Sequence, residues 1–324
     1  MFQHILVPLD GSPRAEQVLP VAARLARASE GTLALIQAVM PSTALRSALA
    51  GEPELPQSGA DSALEEARNY LEQVANSPLL AGIRVETDVV AGRATSVIRA
   101  AAGARPVDLI IICSHGYTGW KRWVLGSVAE QVVHHANVPV LLLREGKPVA
   151  VAPSPQREGP LRALVPLDGS VYAKSALAPA AHLIAALAAP EAGALHLTRV
   201  ITPHTASRIG ASSQEAMLHR AKRYLQSTVE HLREGLVASE VAHLGLSLTW
   251  SVTLDDDIAS GIIRVAENGE DAEGAGAFGG CDVIAMATHG YSGLERWAMG
   301  SVTERVLRAT RLPMLIVRPS EKEM

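Results

Sequence analysis

The sequence predicts an α/β chain of two tandem, doubly wound, five-stranded parallel-sheet domains, and three observations carry that expectation. The chain repeats itself: HILVPLDGS at 4–12 returns as RALVPLDGS at 162–170, and VPVLLLR at 138–144 returns as LPMLIVR at 312–318. Within each copy, short β-branched runs alternate with longer amphipathic stretches, the pattern of βαβ units. LIIICS at 109–114 is apolar nearly throughout, as a strand covered on both faces should be.

In the first copy the strands fall at 4–9, 33–39, 84–90, 109–114 and 140–143, with helices at 13–29, 61–76, 95–103 and 127–136. Ser12 followed by Pro13 makes a good helix start, a capping hydroxyl and then a residue whose missing N–H does no harm. Asp61 and Ser127 are similar cap candidates. The second copy repeats the strands at 163–167, 195–200, 246–252, 283–287 and 314–317. Between the copies, EGKPVAVAPSPQREGP (145–160) carries four prolines and reads as a linker, which divides the chain into 1–145, 146–160 and 161–324. Asp10 and Asp168 are 158 residues apart whereas Gly126 and Gly300 are 174 apart, so the second copy has gained sixteen residues. Part of that gain is ENGEDAEGAGAFGG (267–280), whose composition suggests a mobile polar surface loop. Its GAGAFG matches a dinucleotide fingerprint in letters, but it precedes a strand instead of opening a helix.

Composition bounds the function. A net charge of −4 with no basic block argues against nucleic acid as a partner. No apolar run reaches the ~18 residues of a membrane span, and no leader pattern is read at the start. Two cysteines, Cys113 and Cys281, cannot make a disulfide framework and fit a reducing, cytoplasmic setting.

The densest repeat lies at 113–132 and 287–306, where eleven of twenty positions are identical. SHGYTG and then GSVAEQV stand between the fourth strand and the fourth helix, at the carboxyl edge where open α/β sheets bind ligands. Gly126 and Ser127 would present bare amides at a helix start, a natural anion site, with Lys121 and Arg122 adding charge on the loop. Ser127 can equally cap the helix. Asp10 ends the first strand at the same edge, where it can contact a nucleoside or simply hold its own DGS turn. His115 and His289 read as loop hydrogen-bonders, and Trp123 and Trp297 as pins that fix the loop to its domain.

HILVPLDGS, the VAG after the third strand, and SHGYTGWKRWVLGSVAEQV with VPVLLLR together resemble the universal stress protein family in its tandem two-domain form, over nearly the whole chain. The resemblance implies a flavodoxin-like, adenine-nucleotide-hydrolase-like sheet of order 3-2-1-4-5 and, in some members, ATP bound with Mg²⁺. It implies Pro8, Leu9, Asp10 and Ala38 as adenine and ribose contacts, with Gly92 nearby. Ile112, Cys113, Gly116, Arg122, Gly126, Ser127 and Val128 would form the phosphate side. The second copy supplies Pro166, Leu167, Asp168, Val200, Gly290, Arg296, Gly300, Ser301 and Val302. The family's first glycine is replaced by Cys113 and Ala287.

TLDDDIASG stands where the first copy has VAGRATS, with Asp257 aligned to Gly92, and Glu295 replaces Lys121. Three acids beside a triphosphate would need a Mg²⁺ between them, so the first site is expected to be the better ATP binder. Capping of the next helix is the favoured main role of Asp255–Asp257. The apolar last strands would pair in an intrachain pseudo-dimer, with a homodimer left open. Three functions are therefore open: an ATP-binding regulatory protein, a member without nucleotide that works through its surface, and a weak ATPase.

Overall fold

β-branched and leucine-rich runs of four to eight residues become the strands, because burying one such side chain is worth about 1.5–3 kcal/mol. The computed structural model describes residues 1–40, 58–114, 125–144, 159–203, 211–288 and 299–319. By internal packing the chain divides into two units, Met1–Glu145 and Gly146–Met324.

In the first unit β1 (His4–Leu9), α1 (Pro13–Glu16), α2 (Leu19–Ser29), β2 (Thr32–Val39) and α3 (Ser58–Ala75) come first. Then follow β3 (Arg84–Ala91), α4 (Ala94–Ala104), β4 (Leu109–Cys113), α5 (Ser127–His135) and β5 (Val140–Leu143). The strands pair in parallel in the order β3-β2-β1-β4-β5. All five residues of β4 are buried, as expected for a strand covered on both faces.

The second unit repeats the plan with β6 (Arg162–Pro166), α6 (Val171–Lys174), α7 (Leu177–Ala188), β7 (Ala194–Ile201), α8 (Ala211–Arg233) and β8 (Ser247–Leu254). It continues with α9 (Ile258–Asn268), β9 (Glu270–Ala272), β10 (Gly276–Phe278), β11 (Val283–Ala287), α10 (Ser301–Ala309) and β12 (Met314–Val317). Its parallel order, β8-β7-β6-β11-β12, is the same 3-2-1-4-5 winding. Val171–Ala188 has the length and mean hydropathy (1.3) of a membrane span. Within it α7 buries Leu177, Ala180, Leu183, Ile184 and Leu187 in the core, which explains its composition.

Four local expectations are corrected. The helix expected over 13–29 is two helices, because Pro20 in the first turn of α2 has no N–H to continue the ladder from α1. Pro179 breaks α6 from α7 in the same way. α3 starts at Ser58, so Asp61 lies in its first turn and does not precede the helix. Gly126, and not Ser127, is the N-cap of α5.

The fourth correction concerns 267–280, which is a built hairpin, with Phe278 paired to Glu270 and Gly276 to Ala272. Matching helix starts Arg93 and Asp257 are 164 apart, and strand starts Leu109 and Val283 are 174 apart. Ten of the sixteen extra residues therefore lie between α9 and β11, where the hairpin is. It docks on β8 through Glu273 N–H to the Trp250 carbonyl, 2.9 Å. The composition misleads because the polar residues have partners inside the unit. Glu270 accepts from Ser251 and Thr253. His196, fully buried, bonds Thr249 through Nδ1 and Ser251 through Nε2, both at 2.8 Å, and Phe278 covers its ring at 4.4 Å. At Gly269 (φ 75) an added Cβ would collide with the Phe278 carbonyl. Gly269→Ala is therefore expected to destabilise the second unit by about 2 kcal/mol or more, the left-handed penalty plus the clash. A urea titration that left its midpoint unchanged would contradict the docked hairpin.

Candidate functional site

Parallel strands deliver β1, β4, β6 and β11 to a common carboxyl edge within each unit, and the next segment of chain must turn there. In the first unit Asp10 is exposed directly after β1, and its Oδ1 accepts from Ser12 N (3.0 Å) and Ser12 Oγ (2.6 Å). Ser12 Oγ in turn accepts from Ala15 N at 3.1 Å and caps α1. In the second unit Asp168 Oδ1 accepts from Ser170 N (2.8 Å), and Ser170 caps α6 at Ala173 N (3.1 Å). Both aspartates thus hold the DGS turn as the local chemistry predicts, with Gly11 and Gly169 at positive φ (80° and 97°).

The helix starts are tied to the neighbouring strand. Gly126 N donates to the Ser114 carbonyl (2.8 Å) and Gly300 N to the Thr288 carbonyl (2.7 Å). Ser127 and Ser301, first residues of α5 and α10, are exposed, and neither helix has a side-chain cap. Uncapped first-turn amides with the helix dipole behind them favour an anion.

In the second unit these elements enclose one cavity of about 440 Å³. Pro166, Leu167, Asp168, Val200, Gly300, Ser301 and Val302 line it, which is every second-copy site residue among those described. Ala287, in place of the family's first glycine, lines it too. Sequence reasoning missed the rest of the wall: Arg199, Met217 and Arg220, with Ile258 and Ile262 from α9. The Arg199 guanidinium lies 5.4 Å from the Tyr224 ring centre and 3.3 Å from where a Cβ on Gly169 would stand. The cavity therefore has two arginines, an apolar side and a helix start, a mixture suited to an anionic ligand with a flat apolar part.

The three acids do not line this cavity. Asp257 caps α9, accepting from Ser260 N at 2.9 Å, and takes a two-point ion pair from Arg305 at 2.6 and 2.7 Å. Arg305, then the Ser260 amide and hydroxyl, hold its carboxyl down at about 2. Capping is thus the use of Asp257, while Asp255 accepts from the Asp257 amide at 3.2 Å and pairs with Arg264 at 3.3 Å. The electrostatic reason for ranking the second site below the first fails, since arginines and not a Mg²⁺ answer two of the charges. The alignment also shifts. Gly92 N and Asp255 N make the equivalent bonds to Val39 and Ile201, and Asp257 matches Arg93, the N-cap of α4.

In the first unit Pro8 and Ala38 are half-buried, Leu9, Ile112 and Cys113 are buried, and Val128 is half-buried on α5. Gly92 stands at φ 152°, bonded to Val39. Pairing of β1 with β4 brings Asp10 and Gly126 out at one edge. Gly116, Lys121, Arg122, Gly290, Glu295 and Arg296, with His115, Trp123, His289 and Trp297, lie outside the described residues.

The chain is similar to known proteins. Universal stress protein Rv2623 of Mycobacterium tuberculosis is 24% identical over 317 residues, covering 98% of this chain and 96% of that one. A universal stress protein structure from Archaeoglobus fulgidus covers 98% of this chain and 97% of that one, at 20% identity and a TM-score of 0.61. A solved universal stress protein in complex with cAMP covers 44% of this chain and 97% of that one, at 21% identity and a TM-score of 0.31. The sequence model of the universal stress protein family matches residues 1–144 and 161–318, one match for each copy of the fold. The chain belongs to the universal stress protein family, with two such domains in tandem.

Proposed function

We propose that this protein binds ATP at the carboxyl edge of its sheets and acts as a cytoplasmic regulatory nucleotide-binding protein with little turnover. One observation carries the reading: seven residues chosen from sequence converge on a single cavity that also holds Arg199 and Arg220. The purine would lie along Val200 and the apolar side chains of α8 and α9, with the ribose toward Asp168. The phosphates would meet the amides of Gly300 and Ser301, with guanidinium groups to answer their charge. The first unit offers the same edge through Asp10, Gly126 and Ser127.

Slow turnover follows from the walls. Hydrolysis needs a positioned water and a base, and among the described lining residues the one carboxylate is Asp168, already engaged in its turn. A member of the family without nucleotide is the second reading, favoured by the Ala287 methyl where the family pattern has a glycine. Mass spectrometry of the purified chain, followed by hours of incubation with ATP and Mg²⁺, tests the proposal. Retained adenine nucleotide and negligible ADP formation are expected. Release of no nucleotide, with no uptake of added ATP, would overturn it.

A further inference from the structure

A second cavity, of about 420 Å³, lies in the first unit, in the groove between α4 and α5. It shares no lining residue with the nucleotide positions of that unit. Arg93, Arg99, Gln131 and His135 line its polar side, Ile98 and Val132 lie on its apolar side, and no acidic residue borders it. Arg93 and Arg99 are exposed and make no ion pair among the described residues. Arg93 is also the N-cap of α4 and makes no capping bond.

The second copy ties the same two helices together at both ends. There Asp257 and Arg305 occupy the places of Arg93 and Gln131, and their two-point pair joins α9 to α10 at one end. At the other end Glu267 occupies the place of Gly103 and accepts from Thr310 Oγ1 (3.2 Å) and Arg311 N (2.9 Å). In the first copy both latches are absent: an arginine faces a glutamine, and a glycine has no side chain to reach with. What remains is two unanswered guanidinium groups beside an apolar strip, in a space of the size that holds a small molecule.

We propose that the α4–α5 groove of the first domain is a binding site for a small organic phosphomonoester. Arg93 and Arg99 answer the dianion, since the guanidinium fork matches phosphate oxygens. Gln131 and His135 add hydrogen bonds, and Ile98 and Val132 cover the organic part. The site is separate from the nucleotide positions of both domains and would let a metabolite act on the same chain.

Calorimetric titration of the full chain with phenyl phosphate tests this. Saturable binding is expected, at least tenfold tighter than inorganic phosphate, with benzyl alcohol not bound. Two variants should each weaken it tenfold or more: Arg93→Glu with Arg99→Glu, and Arg93→Asp with Gln131→Arg, which copies the latch of the second domain. The latch variant should also raise the unfolding midpoint, so it keeps the test decisive if the first variant folds poorly. Binding should persist with both nucleotide sites altered by Gly126→Asp and Gly300→Asp; its loss there would place the probe in those sites and overturn the proposal. No saturable binding, or binding that ignores both Arg93 variants, would overturn it equally.

Discussion

Gly300→Asp is expected to weaken ATP binding at the second domain by about 100-fold while leaving that domain as stable as before, or slightly more so. The backbone at Gly300 has φ −60° and ψ 141°, a conformation open to any residue, so the substitution brings no strain. Aspartate is among the best N-caps, and its carboxylate would accept from first-turn amides of α10 that now have no side-chain partner. Those are the amides proposed to meet phosphate. The variant thus occupies the donors and sets a negative charge against the triphosphate, a repulsion of about 3 kcal/mol at close range in a half-exposed site. Calorimetry with ATP, beside a thermal melt, separates the effects. Unchanged affinity would show that the phosphates lie elsewhere.

Glu270→Ala should be the most damaging single change in the hairpin, destabilising the second domain by about 3 kcal/mol. Glu270 is the acceptor for Ser251 and Thr253, and its Oε1 lies 3.6 Å from Nε2 of the buried His196. The hydrogen bonds run in one direction, from Arg162 to Thr249 to His196 Nδ1, then from Nε2–H through Ser251 to the carboxylate, which assigns the Nε2–H tautomer. Removing the carboxylate leaves buried donors unsatisfied.

The same network sets an acid limit. Burial drives His196 below its ordinary 6.5, more than Glu270 raises it. Burial pushes Glu270 up, but the nearby His196 and the bonds from Ser251 and Thr253 outweigh it and leave the carboxyl below its ordinary 4.5. Both groups are depressed in the folded state, so the unfolded chain binds protons that the native one refuses. Their stabilisation is whole above about pH 7 and is lost as pH falls, first through the range of His196 and then through that of Glu270. Urea midpoints measured from pH 8 to pH 5 should fall in the parent and fall more steeply in Glu270→Ala, which lacks the carboxylate that partly offsets the burial of His196. Equal slopes would remove Glu270 from this role.

The parts legible in sequence were those whose cause is local or repeated. β4 announced itself by unbroken apolarity, Ser12 by cap chemistry, and the 3-2-1-4-5 winding by resemblance to the family. The seven cavity residues of the second domain were legible through resemblance to the family, whose motifs fall on strand ends and helix starts that share one edge. What stayed hidden depends on partners far along the chain. ENGEDAEGAGAFGG has the composition of a loose loop, and nothing near it says that His196, Ser251 and Thr253 wait for Glu270. Asp257 looked like a charge against phosphate because Arg305, which pairs with it, is 48 residues away. Arg199 and Arg220 were missed for the same reason: each belongs to an amphipathic segment whose inward side is fixed only by packing against the sheet.

The central claim is that uncapped helix starts at the carboxyl edges hold the phosphates of ATP. Equilibrium dialysis of the full chain against labelled ATP, compared with Gly126→Asp, Gly300→Asp and the double variant, tests it most directly. The account predicts saturable binding by the parent, loss of one site in each single variant and no binding in the double variant. A parent chain that takes up no ATP, or a double variant that binds as the parent does, would contradict it.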